Sequence, residues 1–292
     1  MAASRLGVQP LSDLVSDAIT MARGLGLVVD DPLVLKESLN LLVWLRPSPV
    51  VARMHVRTGL VRSADPAADS LALATFLATA GLPVSPPVDD VDPGPHVGAT
   101  GRAMTLWRHL SLIEERADPA EAGRTLRLLH EAMAAYDGPL RHVGPVAEIG
   151  RLADLLATHG ETADAATIRE LLGRLEVPDM PVQALHGDAH LGNVRLTAGG
   201  IRWIDWEESW RGPVAWDLAS LEHRRATFDE LHGETRRAFE GYGPHDAEAV
   251  EAWLPVVSLW AAAWGLVGEI DRLGWADSAR RRLAWTTARL GG

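Results

Sequence analysis

The stretch Leu185-His186-Gly187-Asp188-Ala189-His190-Leu191-Gly192-Asn193, followed by Ile204-Asp205-Trp206-Glu207, restricts this chain more than any other. Gly187 and Gly192 disfavour a helix here. Val194-Arg195-Leu196, Ala198-Gly199-Gly200 and Ile201-Arg202-Trp203-Ile204 predict a strand, a turn and a second strand. Such a hairpin carries Asp205 back beside Asn193. A carboxylate and an amide oxygen together form a hard-oxygen pair suited to Mg²⁺, which completes its shell with phosphate oxygens and water. Asp188 then lies next to that cation without needing to bind it, placed to take a proton from a hydroxyl. A base beside a cation that neutralises phosphate charge is the equipment of phosphoryl transfer. Two plainer readings stand beside this one. His186 and His190 have the spacing of a zinc pair on a helix, against which the glycines and the lack of a third ligand argue. Asp188 and Asp205 could instead be turn carboxylates with local hydrogen bonds.

With His186-Gly187-Asp188, Asn193 and Ile204-Asp205-Trp206 in this order, the chain resembles the aminoglycoside phosphotransferase family, the small-molecule branch of the protein-kinase-like fold. Arg211-Gly212-Pro213-Val214-Ala215-Trp216-Asp217-Leu218-Ala219 matches the family's next signature. The resemblance implies an α+β, two-lobed fold. A small antiparallel-sheet N-lobe over residues 1–103 would cover the nucleotide, and a larger, mainly helical C-lobe over 104–292 would hold the hinge, catalytic loop and substrate helices. It implies Asp188 as catalytic base, Asn193 and Asp205 as Mg²⁺ ligands, and His186 and Asp217 as structural braces. The implied cofactors are ATP or GTP with Mg²⁺, and the implied partner is a small hydroxyl acceptor.

Three departures from the family pattern concern the phosphate clamp. In Val50-Val51-Ala52-Arg53-Met54 the position of the phosphate-binding lysine holds Arg53, longer, planar and forked. The phosphate-covering segment Leu35-Lys36-Glu37-Ser38-Leu39-Asn40 lacks glycine: Ser38 stands where the family often has one, and Asn40 fits its usual Asn. Lys36, the sole lysine, could add a phosphate contact or sit in solvent. The helix expected over 66–80 carries Ser70 where the family has a glutamate, with Asp69 one residue earlier as a possible partner for Arg53. Ala103-Met104-Thr105-Leu106-Trp107 reads as a strand and inter-lobe hinge; by resemblance the backbone at Met104 and Leu106 would hold the adenine edge.

Further helices are expected over 11–27, from Asp118 through Met133, over 146–158 and 163–175, and through most of 216–240 and 246–290. Glu207, Glu208 and Asp271 are the acidic candidates for an amine-bearing substrate, while Trp253, Val257, Trp260 and Trp264 share one helical face and read as core. A net charge of −11 argues against nucleic acid, whose footprint is basic. No cysteine is present, so there is no disulfide framework. The uncharged run Ala252–Gly268, interrupted by Pro255, reads as a buried helix rather than a membrane span, and with no apolar leader a cytoplasmic protein is expected. The resulting expectation is ATP·Mg²⁺-dependent O-phosphorylation of a small molecule, for instance an aminoglycoside-like antibiotic, an amino alcohol or a sugar. The alternative is a catalytically silent kinase-like protein that binds a nucleotide or another ligand.

Overall fold

The computed structural model describes residues 4–62, 65–141 and 144–291. The N-terminal part is a five-stranded antiparallel sheet of β1 (Leu33–Glu37), β2 (Leu41–Trp44), β3 (Val50–Met54), β4 (His96–Val97) and β5 (Ala103–Arg108), in the order β1-β2-β3-β5-β4. Alternation along the strands puts Leu41, Val43, Val50, Ala52, Met54, Met104 and Leu106 on one face, where helix α1 (Leu11–Gly24) covers them with Leu14, Ala18 and Ala22. Arg53 lies between Ala52 and Met54, so the period of two turns it to the other face, toward the second lobe. Strand β1 takes in Leu35, Lys36 and Glu37 of the phosphate-covering segment, which the sequence did not mark as strand. All five of its residues are exposed, so it shows no in-out alternation for a sequence reading to detect.

The inter-lobe boundary needs correction. Strand β5 stays paired with β3 through Arg108, so a division at 103/104 would remove a strand from the sheet. Met104 and Leu106 are fully buried, and the Leu106 N–H donates to Pro93 O at 2.9 Å. Neither is placed to offer a free backbone edge to a base. The crossing comes one strand-end later, where His109 stacks on Trp44 at 3.8 Å and the Ile113 N–H donates to Leu196 O at 2.8 Å.

The second lobe contains α3 (Pro119–Met133), α4 (Pro145–Thr158), α5 (Thr162–Arg174), α6 (Val214–Phe228), α7 (His232–Tyr242), α8 (Ala247–Ile270) and α9 (Ala276–Leu290). Two short ribbons complete it: β6 (Gln183–Leu185) with β9 (Trp210–Gly212), and β7 (Val194–Thr197) with β8 (Gly200–Trp203). Helix α2 (Asp65–Thr79) sends Leu73, Ala74 and Leu77 into the core of this lobe rather than that of the sheet. Asp118 caps α3 by accepting from Ala120 N at 3.1 Å, with Pro119 opening the helix. Helix α8 is long and apolar enough to cross a bilayer by length and composition, yet 83% of its most apolar stretch is buried among its neighbours.

Helices α3 and α7 meet backbone to backbone. A Cβ on Gly123 would overlap the Ala238 carbonyl oxygen, and one on Gly241 would overlap that of Ala120. Gly123→Ala must therefore push two helices apart in a filled core, an overpacking expected to cost about 1–3 kcal/mol. Urea titration should show a lower midpoint with an unchanged slope; an unchanged midpoint would mean the helices can slide.

Candidate active site

The block between β6 and β7 forms a loop whose shape is set by backbone anchors. Gly187 has φ +85°, and a Cβ there would run into the Glu208 carbonyl, so the position calls for glycine. Asp217, fully buried in the first turn of α6, accepts from the backbone N–H groups of His186 at 2.9 Å and Gly187 at 2.8 Å. His130 Nε2 donates to the same carboxylate at 3.0 Å, and Trp216 Nε1 donates to Gly187 O at 2.7 Å. His186 is buried, donating from Nε2 to Ile204 O at 3.0 Å and accepting at Nδ1 from Asp188 N at 3.3 Å. Both ring nitrogens are thus engaged by backbone, and burial lowers the pKa of the ring. That leaves no helical zinc pair with His190.

The hairpin of β7 and β8 brings the polar groups together. Ile204 N–H donates to Asn193 O at 2.9 Å, which sets Asp205 beside Asn193. Asp205 itself has φ +74°, an uncommon backbone state for a residue with a side chain, of the kind that concentrates at functional sites. Asn193 Nδ2 donates to both the backbone O and the carboxylate Oδ2 of Asp188, each at 2.9 Å. His190 Nε2 lies 3.4 Å from the same Oδ2. Burial raises the Asp188 pKa, but His190, His186 and the Asn193 amide outweigh it and hold the carboxyl well below the usual range.

Arg53 is paired with Asp205 and, at 3.1 Å, with Glu207. Burial would lower its pKa; the two carboxylates raise it instead. Glu207 also accepts from Asn40 Nδ2 and lies 3.8 Å from His55 Nδ1. Burial, with Asp205 and Glu208 nearby, pushes its carboxyl up to about 7 against the pull of Arg53. The carboxylate that braces Arg53 therefore comes from the turn after β8, where the family pattern pointed to α2.

Several expected ligand contacts are placed differently. Asn40 is buried, its Oδ1 accepting from Val56 N at 3.2 Å and Thr58 Oγ1 at 2.7 Å, so its amide fastens the β1–β2 turn and is not presented to a ligand. Lys36 and Ser38 do face the cleft, and Lys36 is close enough to favour the charged form of Asp205. Glu208 is held by Arg62 at 2.6 Å and Arg141 at 3.2 Å; Asp271 is held by Arg57 at 2.9 Å, by Ser4 Oγ at 2.9 Å and by Leu6 N at 3.2 Å. Asp271 lies outside the cleft lining, and Glu207 and Glu208, though in it, are both paired to arginine. None of the acids expected to meet an amine is free to do so. Trp260 and Trp264 line the cleft but donate from Nε1 to Glu148 at 2.7 and 3.1 Å.

Sequence reasoning missed Arg62, Arg141 and Glu148. Arg62 binds Glu148 through Nε at 2.5 Å and Nη2 at 2.7 Å, and Arg141 reaches Glu148 at 3.3 Å. One readable signal was Glu148 itself, a charge on the apolar stripe of α4 that also holds Leu152 and Leu156.

The two lobes bound a cleft of about 1240 Å³ that reaches Lys36, Ser38, Asp188, Asp205, Glu207, His223 and Arg282. A small antiparallel sheet over a helical lobe, with a loop and hairpin at their junction, is the two-lobed architecture of kinase-like small-molecule enzymes. Residues 36–254 match the phosphotransferase enzyme family (APH), and the chain belongs to that family. It is 27% identical over 149 residues to thiamine kinase of Salmonella paratyphi B, a match over 45% of this chain and 53% of the relative. The chain thus spans about half the length of the curated relatives it matches. In fold it is similar to choline kinase LicA from Streptococcus pneumoniae, with TM-score 0.67, 16% identity and coverage of 94% and 99% of the two chains. It is also similar to the aminoglycoside phosphotransferase APH(4)-Ia, with TM-score 0.63, 18% identity and coverage of 94% and 100%. A spectinomycin phosphotransferase solved with ADP and spectinomycin follows, with TM-score 0.60, 13% identity and coverage of 96% and 95%.

Proposed function

We propose that this chain is a cytoplasmic Mg²⁺-dependent kinase that moves the terminal phosphoryl group of ATP or GTP to a hydroxyl of a small molecule. The observation that carries this reading is the Asn193 side chain. Its Nδ2 is engaged by Asp188, which leaves its amide oxygen for a cation beside Asp205. That donor set fits magnesium, which favours carboxylate and carbonyl oxygens. Asn193 Oδ1 and Asp205 would hold the ion, whose contribution when bound is to neutralise phosphate charge.

The protein groups have separable tasks. Asn193 and His190 both engage Oδ2 of Asp188, so Oδ1 is the oxygen turned to the acceptor. Asp188 takes the hydroxyl proton as the acceptor oxygen bonds to the γ-phosphorus. The bond from that phosphorus to the bridging oxygen breaks, and the nucleoside diphosphate leaves. Arg53, steadied by Glu207, grips phosphate oxygens, with Lys36 and the Ser38 turn above them. The adenine or guanine edge is assigned to the segment after Arg108, where the strand pairing of Met104 and Leu106 has ended. The relatives named for thiamine, choline and aminoglycosides support a compact hydroxyl acceptor, antibiotic or metabolite.

Calorimetry of ATP and GTP with and without Mg²⁺, on the natural chain and on Asp205→Ala, tests this. The cation should tighten nucleotide binding in the natural chain, and the variant should lose about tenfold or more of that affinity, ~1.4 kcal/mol. Identical binding with and without Mg²⁺ would sink the proposal. The ligand-binding alternative has one observation in its favour, the ion pair of Arg53 with Asp205, which occupies an oxygen the cation would use. Nucleotide binding that is tight without any cation would select it.

A further inference from the structure

Beside Asp188 the cleft is lined by His190, His223, Arg224 and Arg282. Among the described residues, His190 Nδ1, His223 Nε2 and Arg282 Nε are buried with no hydrogen-bond partner. His223 is only 6% exposed, so its idle nitrogen has no solvent to turn to. Arg224 is paired with Glu230, whereas Arg282 rests on the Phe228 ring at 4.7 Å with no carboxylate partner among the described residues. Burial, helped by Arg224, pushes the Arg282 guanidinium down to about 10; burial, helped by Arg282, pushes His223 down to about 3. The result is a neutral imidazole next to a guanidinium that Asp188 and Glu230 favour only from beyond ion-pair distance. Arg282 is half-buried with its Nε shielded from solvent, and a charge partly withdrawn from water without a hydrogen-bonded partner is costly.

Among the described residues no acid of the cleft is within ion-pair distance of Arg282: Asp188, which favours its charge from further off, is engaged by Asn193 and His190, and Asp205 by Arg53. Glu207 and Glu208 belong to Arg53 and Arg62, while Glu230 and Asp118 belong to Arg224 and Arg237. Glu114 and Glu115 are exposed on the inter-lobe segment, and neither they nor Glu234 are among the charges acting most strongly on His223 or Arg282. A cationic acceptor would meet an unpaired guanidinium where it needs a carboxylate.

We infer that the acceptor carries an anionic group, a carboxylate or a phosphate, bound by Arg282 and His223 while its hydroxyl faces Asp188. The inference rests on the phosphotransferase reading and narrows it: small hydroxy acids or hydroxyalkyl phosphates are favoured over amino sugars and amino alcohols. A guanidinium matches either anion with two parallel N–H donors, and a neutral His223 can donate from Nε2.

Thermal melting of the full chain saturated with Mg²⁺ and AMP-PNP, at constant ionic strength, tests it with four probes of similar size: glycerate, glycerol 3-phosphate, glycerol and 3-amino-1-propanol. Saturating the nucleotide site keeps the anions from being read there. Glycerate or glycerol 3-phosphate should raise the midpoint, and whichever raises it more identifies the anion; glycerol and the amine should not. Arg282→Gln should weaken the apparent affinity for that anion about tenfold or more while still binding nucleotide. Arg282→Lys, which retains the charge, should keep part of the shift and guards against a folding defect in the first variant. A larger shift with the amine, no shift with either anion, or an anion shift that survives Arg282→Gln would each overturn the inference. Failure of AMP-PNP itself to bind would overturn the underlying phosphotransferase reading, a result seen before any acceptor is added.

Discussion

Asp188→Ala should reduce turnover by about 10²–10⁴-fold, the range a positioned general base contributes, with Mg²⁺·nucleotide affinity close to that of the natural chain. The expectation comes from the division of labour in the loop. Asp188 meets Asn193 and His190 through Oδ2, and its backbone is set by Asp217 through its neighbours His186 and Gly187. Removing the carboxylate therefore leaves the loop anchored. Asp188→Asn is the sharper variant, because it keeps the shape but presents either an amide oxygen or an NH₂ to Asn193 Nδ2. Both variants should be slow in a coupled assay for nucleoside diphosphate release. Asp205→Ala differs in kind, since it should weaken binding of the nucleotide itself. Full turnover in Asp188→Ala with an identified acceptor would remove Asp188 from the role of base.

The second large effect lies away from the chemistry. Glu148 is fully buried and shared by Arg62 and Arg141, which also hold Glu208, so two guanidinium groups are balanced by two carboxylates. Glu148→Ala leaves two cations facing one acid and strips Trp260 and Trp264 of their acceptor. Breaking such a buried set costs about 3–5 kcal/mol, which for a chain of this size is a fall in melting midpoint on the order of 10 °C. Pairing Glu148→Leu with Arg62→Met restores one cation to one acid, and the double variant should lose less stability than Glu148→Ala. A double variant that is less stable than the single would mean packing, not charge, dominates there.

The same carboxylate gives a pH dependence with a definite sign. Burial raises the Glu148 pKa, but Arg62 and Arg141 outweigh it and hold the folded-state value well below the ordinary 4.5. A depressed folded value means its stabilisation is complete above about 4.5 and is lost as pH falls further. Urea midpoints of the natural chain and Glu148→Ala should therefore differ most near neutrality and converge as the solution is acidified. A gap that stays constant down to pH 2 would contradict the ion-pair account.

Much of the architecture was legible because it rests on local rules. Two glycines break the helix before Asn193, Gly199 and Gly200 turn the hairpin, and Asp118 with Pro119 begins α3. The convergence of Asp188, Asn193 and Asp205 followed from their spacing together with the strand–turn–strand pattern between Asn193 and Asp205. What escaped the sequence depends on contacts across long separations. The pairing of Arg53 with Glu207 and the three-way hold on Asn40 join segments over a hundred residues apart or close on side chains whose direction no periodicity gives. The inter-lobe boundary was misplaced because the apolar pattern of β5 is the same whether a strand ends the sheet or continues in it. Arg282 was passed over for a related reason: on a helix rich in arginine, only the fold distinguishes the one that lines the cleft with its Nε buried and without a partner.

The bracing of Arg53 by Glu207 carries a consequence for descent. Position 53 depends on a residue two places beyond Asp205, and Asn40 holds that same residue from the sheet. Lineages of this chain should then record positions 40, 53 and 207 as a trio that changes together. An ancestor with lysine at 53 would be expected to differ at 207 as well, and reconstructing it one substitution at a time should pass through poorly active intermediates. Drift along α2, by contrast, should leave position 53 untouched.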